Sequence, residues 1–560
     1  MGACTNAGPL LKTHMISRIS LIFCLYLLTV SCCLAEQTSA LEDEDIAFNK
    51  TLAGLLTKSF ADKQIVITQI ADSKHSSALA VLKLLLDGKV YYRKSDKALF
   101  AANIIERDVE LYSLIDNTLV GTLPKKKLRK VGINNKLRGT LKHAIAQLSL
   151  ADPNPKVRKQ AIISIFSSLD NHTVSLVQQR LLIERDPKVL KELHVAINLH
   201  TLSSDDHTKV LSAITELADS LHPQTRVSLN NLRERLLTQK DTQNNAELLN
   251  AIDGSLKKIE SAVNLFKHVE NIFFGLSLGS VLLLAAVGLA ITFGVMGVIN
   301  MAHGEMIMLG AYTTYIIQQL MPDAITYSLL YSLPVAFVFT AMIGIAIERG
   351  VIRFLYGRPL ETLLATFGIS LILQQAVRTF ISPQNRAVAS PDWISGSLQI
   401  NPALAITYNR LYIIIFALTV LAGLMLLLKK TSFGLQIRAV TQNRSMAKAM
   451  GIRTDWVDAF TFGLGSGIAG MAGVALSQLT NVGPNMGQAY IIDSFMVVVF
   501  GGVGNLWGTL FGAMTLGIAN KYLEPLTGAV VAKVLVLIFI ILFIQKKPSG
   551  MFALKGRSLD

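Results

Sequence analysis

The feature that most constrains this 560-residue chain is a succession of long apolar segments that fills its second half. Several of these runs reach or approach the roughly 20 residues that a helix needs to cross about 30 Å of hydrocarbon. Between Asn271 and Asp560 there are 18 Lys and Arg and 10 Asp and Glu residues, whereas the shorter stretch from Glu36 to Glu270 contains 33 and 28. The second half therefore has the composition of a membrane domain.

The apolar segments predict an all-α polytopic membrane domain over residues 268–548, with about eight or nine transmembrane segments. Two of them, near 491–503 and 506–520, are Gly-rich and short for a full crossing, so one bent or re-entrant element is an alternative there. The seven others lie near 272–294, 305–320, 327–348, 360–380, 411–428, 457–479 and 529–545.

The first 35 residues have the pattern of a cleavable secretory signal peptide. Lys12 and Arg18 precede the apolar core ISLIFCLYLLTV, and small residues precede Glu36. All four cysteines lie in this segment, so we expect no disulfide bonds in the chain after cleavage. An uncleaved anchor or a lipid-modified Cys32 is the alternative, and in each case the residues that follow are exported.

Residues 36–265 predict an exported, mainly α-helical domain. Two segments, ADPNPKVRKQAIISIFSSL and ERDPKVLKELHVAINL, place Asp-Pro before an apolar helical stripe, as an N-cap and a first helical residue. A weaker copy, HPQTRVSLNNLRERLL, brings Val157, Val189 and Val227 to spacings of 32 and 38 residues. This period resembles that of HEAT repeats, and an ordinary helical bundle is the alternative.

A small mixed α/β cap is predicted before these helices. The segments GKVYYRK and NTLVGTLP alternate apolar and polar residues in the manner of short strands. The basic run KKKLRK at 125–130 is expected to be a solvated loop without a function of its own.

The charges of the loops predict the orientation of the membrane domain. If residues 36–265 are outside, thirteen Lys and Arg residues lie in the three loops that are then cytoplasmic, and only Arg386 and Arg410 lie in the opposite ones. This distribution predicts a bacterial inner-membrane protein with its N-terminal domain in the periplasm and a cytoplasmic tail at 549–560. It also accounts for much of the formal charge of +15, so we predict no nucleic-acid partner. The cytoplasmic loops are 349–358, 429–456 and 546–560, and the opposite loops are 321–326, 381–410 and 480–490.

No motif in the sequence recommends an enzyme. The chain has no GxxxxGK[ST] phosphate loop, no HExxH, no zinc-spaced Cys and His set and no GxSxG. These absences do not exclude an enzyme, but nothing in the residues favours one.

The long cytoplasmic loop TSFGLQIRAVTQNRSMAKAMGIRTDWVDAF has its own helical pattern. Ala439, Asn443, Met446 and Met450 recur at near-helical spacing, and Gly451 is well placed to end the helix. An apolar stripe exposed to the cytosol either enters a partner's groove or lies on the membrane surface, and the residues alone leave both open.

The membrane half resembles the LivH-like permeases of branched-chain amino acid ABC importers. The matching segments are GVMGVINMAHGEMIMLGAY, RPLETLLATFGISLILQQAVR, FGLQIRAVTQNRSMAKAMGI and FMVVVFGGVGNLWGTLFGA. Within that family the exported domain, LRGTLKHAIAQLSLADPNPKVRKQA and NVGPNMGQAYIIDSFMVVVFGGVGNLWG resemble the urea-permease (UrtB-type) branch.

The resemblance implies a set of partners. These are a second, LivM-like permease subunit, two ABC ATPase subunits, a periplasmic solute-binding protein and the lipid membrane. ATP is used by the ATPase subunits, and no cofactor is bound by this chain. The loop 430–456 is then the coupling loop to the ATPase, although AKAMG departs from the importer pattern EAA-x3-G and leaves individual contacts open. Its implied coupling positions are Gly434, Arg438, Ala439, Ala447, Gly451 and Ile452.

Polar groups within the apolar segments are candidates for the substrate pathway, because burial in the membrane is costly unless they face a cavity or one another. Urea offers N–H donors and a carbonyl acceptor, so its path requires acceptors and an amide or hydroxyl donor. The candidate side chains are Asn300, His303, Glu305, Gln374, Gln375, Arg378, Asp493 and Asn505, with backbone at Gly501, Gly502 and Gly504.

Structural roles are the alternatives for these residues. Glu305 and His303 could cap the second helix at the cytoplasmic boundary, Asp493 could cap a periplasmic helix end, and Arg378 could snorkel. By charge and parity, NMAHGE lies near the inner mouth of the pathway or on broken helix just inside it, which makes its polar residues candidates for an exit-side lining or gate. Lys533 and Asp458 are expected to be boundary or packing residues.

Three functions follow as hypotheses. The first is the permease subunit of an ATP-driven urea importer, since few charged residues lie deep in the spans and a zwitterion needs a cation or helix N-terminus for its carboxylate. The second is import of branched-chain amino acids or short-chain amides. The third is a passive channel with a sensory ectodomain. For the exported domain we expect docking of a solute-binding protein.

Overall fold

A computed structural model describes residues 44–552, except positions 58, 74, 106–107, 168 and 239–241. The predicted signal peptide and residues 553–560 of the predicted tail lie outside this part. The chain divides into two compact units, Met1–Ile259 and Glu260–Asp560.

The first unit begins with three helices and an antiparallel sheet. The helices are α1 (44–53), α2 (Phe60–Asp72) and α3 (Ala78–Leu86). The strands are β1 (Val90–Arg93), β2 (Leu99–Ile105), β3 (Asp108–Tyr112), β4 (Leu119–Pro124) and β5 (Leu128–Lys130), in the order β4-β3-β2-β1-β5. KKKLRK is thus not wholly a loop, because Leu128 is buried and β5 pairs with β1.

Six helices follow the sheet. Asp186 caps α7 through its side chain, as the Asp-Pro pattern predicts. In ADPNP the pattern predicts Asp152 as the cap of α5, but the cap is Asn154, two residues later. The helices are α4 (Asn135–Leu150), α5 (Pro155–Ile165), α6 (Asn171–Ile183), α7 (Pro187–Thr201), α8 (His207–Leu217) and α9 (Pro223–Thr238).

The three valines that define the predicted repeat are not equivalent in the structure. Val189 is fully buried, whereas Val227 is 49% exposed, because α9 buries a face that contains Leu229, Leu232 and Leu236. The HEAT-like character of this unit stays a prediction.

The second unit is built from nine helices of 16 residues or more within its described residues. Six helices of the described chain are long and apolar enough to cross a membrane, and α18 is a shorter apolar helix, so the chain is a multi-pass membrane protein. The count of eight or nine crossings stays a prediction. The helices are α10 (Thr242–Met296), α11 (His303–Leu320), α12 (Ile325–Gly350), α13 (Pro359–Phe380), α14 (Tyr408–Lys430), α17 (Thr454–Ser477), α18 (Met486–Gly501), α19 (Leu506–Thr527) and α20 (Ala529–Lys546), with a hairpin of β6 (Ser397–Asn401) and β7 (Leu404–Thr407) and the loop helices α15 (Ser432–Gln442) and α16 (Arg444–Ala449).

Helix α17 lies at the centre of this bundle, and glycines let it pack closely. A Cβ added at Gly310 of α11 would overlap the backbone of Gly470, and one added at Gly473 would overlap that of Ile307. Gly465 meets Gly288 of α10 in the same way. Such contacts are a main source of helix association in lipid, where no hydrophobic driving force acts between helices.

Candidate substrate site and coupling loop

The buried carboxylate of Glu305 is the centre of the candidate site. Its side chain, in the first turn of α11, belongs to a residue that is only 1% exposed. Oε1 accepts hydrogen bonds from Ser370 Oγ at 2.9 Å and from Gln374 Nε2 at 2.7 Å. Oε2 is also buried, and no hydrogen-bond partner for it occurs among the residues described. One oxygen is therefore held by α13, and the other can accept a donor from outside.

The position of this site along α13 bears on the two locations expected for NMAHGE. Ser370 and Gln374 follow Pro359, the first residue of α13, by 11 and 15 positions, or about 17 and 22 Å along the helix. Glu305 therefore lies beside the middle and far part of α13, and not at its predicted cytoplasmic end. Of the two locations, broken helix just inside the inner mouth agrees better with this geometry, since residues 297–302 are not helical.

His303 and Asn300 lie close to Glu305 in sequence but have different surroundings. His303 is fully buried, and its Nε2 bonds to Ala285 O at 2.9 Å, so the proton belongs on Nε2. Asn300 Oδ1 accepts from Ala302 N at 3.0 Å. Asn300 also lines a cavity of about 200 Å³ whose other walls are mainly apolar. Neither His303 nor Glu305 caps α11 through its side chain.

A polar stripe on α13 accompanies the site, and of its four members only Gln374 was predicted from the sequence. Four side chains with hydroxyl or amide groups recur every fourth residue on the buried face of this helix. Thr366 Oγ1 also accepts from Met301 N at 3.2 Å, which satisfies a backbone donor of the non-helical segment. The four-residue spacing was the signal that could have found them. The stripe consists of Thr362, Thr366, Ser370 and Gln374.

The two other candidates on α13 form hydrogen bonds with partners other than Glu305. Gln375 is exposed on another face, where its Nε2 donates to Thr379 Oγ1 at 3.4 Å. Arg378 donates from Nη2 to Asn485 Oδ1 at 2.6 Å. Gln374 and Gln375, adjacent in sequence, thus have unlike environments, as neighbouring residues of a helix must.

Asp493 belongs to a second polar group. Its Oδ2 accepts from Lys533 Nζ at 3.0 Å, so the pair joins α18 to α20. Asp493 lies seven residues after Met486, the first residue of α18, and is therefore not the helix cap considered as an alternative. It lines a cavity of about 300 Å³ that also contains Arg410 and Glu524.

The Gly-rich pair forms two separate helices, α18 and α19, joined by a short turn. Asn505 caps α19, since its Oδ1 accepts from Trp507 N and Gly508 N, and it is not placed beside Glu305. Gly502 and Gly504 have φ of +103° and +79°, which favour glycine. Gly501 packs against Gly508. The backbone beside this turn contacts residues 551 and 552, with Phe552 N donating to Gly501 O at 3.2 Å.

The loop predicted to couple to the ATPase, residues 430–456, contains two helices instead of one. Asn443 interrupts the predicted stripe, because its extended backbone ends α15 and its Oδ1 caps α16 through Met446 N at 2.9 Å. Gly451, at φ +87°, follows α16 as predicted. Three apolar side chains stay largely exposed, namely Leu435, Met446 and Met450.

The other coupling positions fix the loop to the bundle. Gly434 packs on the backbone of Leu428, and Arg438 Nη1 donates to Leu428 O. Ala439, Ala447 and Ile452 join an apolar cluster with Ile437, Val440 and Val457.

Comparisons with known proteins identify the membrane half. Residues 271–545 match the family described as "Branched-chain amino acid transport system / permease component". The chain is 31% identical over 293 residues to the high-affinity branched-chain amino acid transport system permease protein LivH of Escherichia coli K12, covering 50% of this chain and 94% of that protein. This chain belongs to that permease family.

Two further relatives agree. The high-affinity branched-chain amino acid transport system permease protein BraD of Pseudomonas aeruginosa is 28% identical over 296 residues, which cover 51% of this chain and 96% of BraD. The probable branched-chain amino acid transport permease protein LivH of Methanocaldococcus jannaschii is 29% identical over 296 residues, 50% of this chain and 91% of its own. No solved structure matches this chain significantly. The family match begins at residue 271, so the first structural unit lies outside it.

Proposed function

We propose that this chain is the permease subunit of an ATP-driven importer for urea in the bacterial inner membrane. It forms the translocation pathway with a second, LivM-like permease subunit. Conformational changes of two ABC ATPase subunits reach its membrane helices through the loop 430–456, the coupling loop. ATP is bound by those subunits. Membership in the permease family supports the importer function, and the site on α11 and α13 supports the choice of solute.

The observation that carries the urea proposal is the half-satisfied carboxylate of Glu305. Its buried Oε2 can accept a charge-assisted hydrogen bond from an amide nitrogen of the solute. A Cβ added at Gly487 would come within 2.9 Å of this oxygen, so α18 packs closely beside it and leaves no room for a bulky solute group. Urea is small and flat, and it presents N–H donors without a net charge.

Coupling follows from the exposed apolar side chains of the loop. Leu435, Met446 and Met450 are 62%, 61% and 77% exposed, and basic residues lie between them. A partner's groove would remove this apolar surface from water, as grooves for amphipathic helices do. ATP-driven movement of the partner then opens the pathway alternately to the two sides of the membrane.

Branched-chain amino acids are the second candidate solute, with short-chain amides as a variant of the first. Arg378 lies one helical turn beyond Gln374, so a zwitterion could place its ammonium at Glu305 and its carboxylate toward Arg378. The relatives BraD and LivH, which are described as branched-chain amino acid permeases, favour this candidate as well. Against it, Arg378 already donates to Asn485.

Uptake into membrane vesicles that contain the whole importer tests these proposals. Labelled urea is supplied with ATP inside, and excess unlabelled leucine or acetamide serves as competitor. Accumulation of urea that requires ATP and resists leucine supports the proposal. Accumulation of labelled leucine without urea would remove the urea assignment and keep the importer. Urea entry without ATP would indicate a passive channel.

For the domain at residues 36–265 we propose a periplasmic position and a role in docking the solute-binding protein. The signal peptide predicted before it, which would export these residues, supports this role. Deleting residues 40–260 should reduce uptake and association with the binding protein. Unchanged uptake and association would contradict docking.

A further inference from the structure

Arg444, the first residue of α16, joins the coupling loop to the membrane helices. Its Nη2 donates to Asp458 Oδ2, and its Nη1 donates to Oδ1 at 3.4 Å. The guanidinium also lies 4.1 Å from the ring centroid of Tyr356, in the connection before α13. Three segments of the chain therefore meet at one cation.

The contact is rigid because of where Asp458 lies. This residue, in the second turn of α17, is 0% exposed, whereas the Arg444 side chain is 37% exposed. Separating the pair would leave a buried carboxylate without its cation, which costs several kcal/mol. Two donors on a planar guanidinium also fix the angle between the partners. A displacement of α16 therefore displaces the start of α17 with it.

Helix α17 in turn contacts the helix that carries Glu305. The contacts Gly470 to Gly310 and Gly473 to Ile307 are between backbones, which cannot adjust by changing a rotamer. Ile307 lies two residues after Glu305 on α11. A shift of α17 is thus passed to the first turn of α11, where Glu305 bonds to α13.

We propose that the Arg444–Asp458 pair is the joint through which movement of the coupling loop displaces α17. This proposal rests on the importer function proposed above. It assigns both residues a positioning role, and neither residue is among the predicted coupling positions. Arg444 and Asp458 contact neither solute nor ATP. They connect the surface that receives the partner's movement to the helix that packs on the solute site.

The test measures solute imported per ATP hydrolysed by the complete importer in vesicles, normalised to assembled complex. The variants are Asp458→Asn, Arg444→Lys and the double variant R444M/D458N. Arg358→Met is the matched control, because Arg358 forms an exposed 3.1 Å pair with Glu361 in another predicted cytoplasmic loop. The ratio should fall about fivefold or more in D458N, the size of a typical coupling between sites.

The pattern across variants distinguishes a joint from a packing contact. R444K, which keeps the charge, should retain more of the ratio than D458N, and the double variant should be no worse than D458N because the two residues act as a unit. R358M should behave as wild type. If D458N imports as much solute per ATP hydrolysed as wild type, the proposed joint is wrong. This holds even where the variant yields less assembled complex. Wild-type vesicles without ATP-dependent import would instead overturn the proposed function.

Discussion

Gln374 donates a 2.7 Å hydrogen bond from Nε2 to Glu305 Oε1 across the interface between α13 and α11. Ser370, one turn earlier, donates to the same oxygen at 2.9 Å. Two donors on one oxygen fix the plane of the carboxylate. The orientation of Glu305, and with it the direction of its free Oε2, is therefore set by α13 and not by the helix that carries it.

Replacing Glu305 with Gln should reduce uptake without preventing membrane insertion. The amide cannot offer the same charged acceptor to the solute, and a hydrogen bond to a charged group contributes about 1.5–3 kcal/mol, so the initial rate should fall about tenfold or more. The measurement is uptake normalised to the amount of protein in the membrane. Normal transport by this variant would assign Glu305 a purely structural role.

Gln374 and Gln375 provide a matched comparison on one helix. Gln374→Leu removes a donor to the buried Glu305, so uptake should fall severalfold, whereas Gln375→Leu changes an exposed side chain and should leave uptake within about twofold of wild type. Both variants are assayed side by side in the same vesicles. Equal losses would show that the face on which Gln375 lies also belongs to the pathway.

The glycine contacts of α17 predict a steric effect on stability. Gly310→Ala places a Cβ on the backbone of Gly470, so it should lower the free energy of unfolding by about 1–3 kcal/mol. Gly423→Ala on α14 meets nothing within 4 Å and should not destabilise the protein. Thermal unfolding of the full chain in detergent measures both. Similar midpoints for the two variants would contradict the close approach of α11 and α17.

The first unit should lose stability in acid through Glu184. Arg158 donates to both of its oxygens and, with other donors, lowers the pKa of this buried carboxyl from 4.5 to about 2. Because the folded pKa is the lower one, the stabilisation is complete above about pH 4.5 and is lost as the pH falls toward 2, in total roughly 3 kcal/mol.

Hydrogen exchange of peptides from α5 to α7, corrected for the intrinsic effect of pH, measures this loss in the full chain. Glu184→Gln should flatten the dependence between pH 4.5 and 2. Glu234→Gln, at an exposed position of α9, is the control and should keep it. A wild-type profile in E184Q would show that other carboxyls are responsible.

The end of α16 should depend on the backbone conformation of Gly451. At φ +87°, alanine is strained by about 1 kcal/mol, so Gly451→Ala should lower ATP-dependent uptake by up to about fivefold through a displaced coupling loop. Gly350→Ala, at a position without positive φ and with open space around it, should have little effect. Uptake is compared together with co-purification of the ATPase subunits. Full ATP-dependent uptake by G451A would show that the conformation of this turn does not affect coupling to the ATPase.

The sequence predicted the elements whose signal is local. Long apolar runs become α12, α13, α14 and α20, and Gly451 ends a helix where expected. Gln374 and Gln375 were not distinguished because they are equally polar, although the four-residue spacing of the stripe that ends at Gln374 was a signal for the buried face. Asn443 fits a helical stripe by spacing, yet its side chain stabilises the break between two helices.

Long-range relationships were beyond reach for a different reason. The Arg444–Asp458 pair joins residues 14 positions apart through a turn whose geometry the sequence does not contain, so Asp458 was expected only to pack. Val227 matched the repeat by spacing, but the face that a helix buries depends on its neighbours.

The interruption between α10 and α11, residues 297–302, has a consequence for hydration. Its backbone lacks the regular hydrogen bonds of a continuous helix. Helix α13 replaces one of them, because Thr366 accepts a hydrogen bond from Met301 N, and the same helix donates to Glu305. If α13 withdrew, these groups would need other partners, and a buried polar group without one costs several kcal/mol. Only water is small and abundant enough to serve all of them at once. Opening at this interface would therefore wet the interior of the protein, and the solute would move along a path that forms together with its own water.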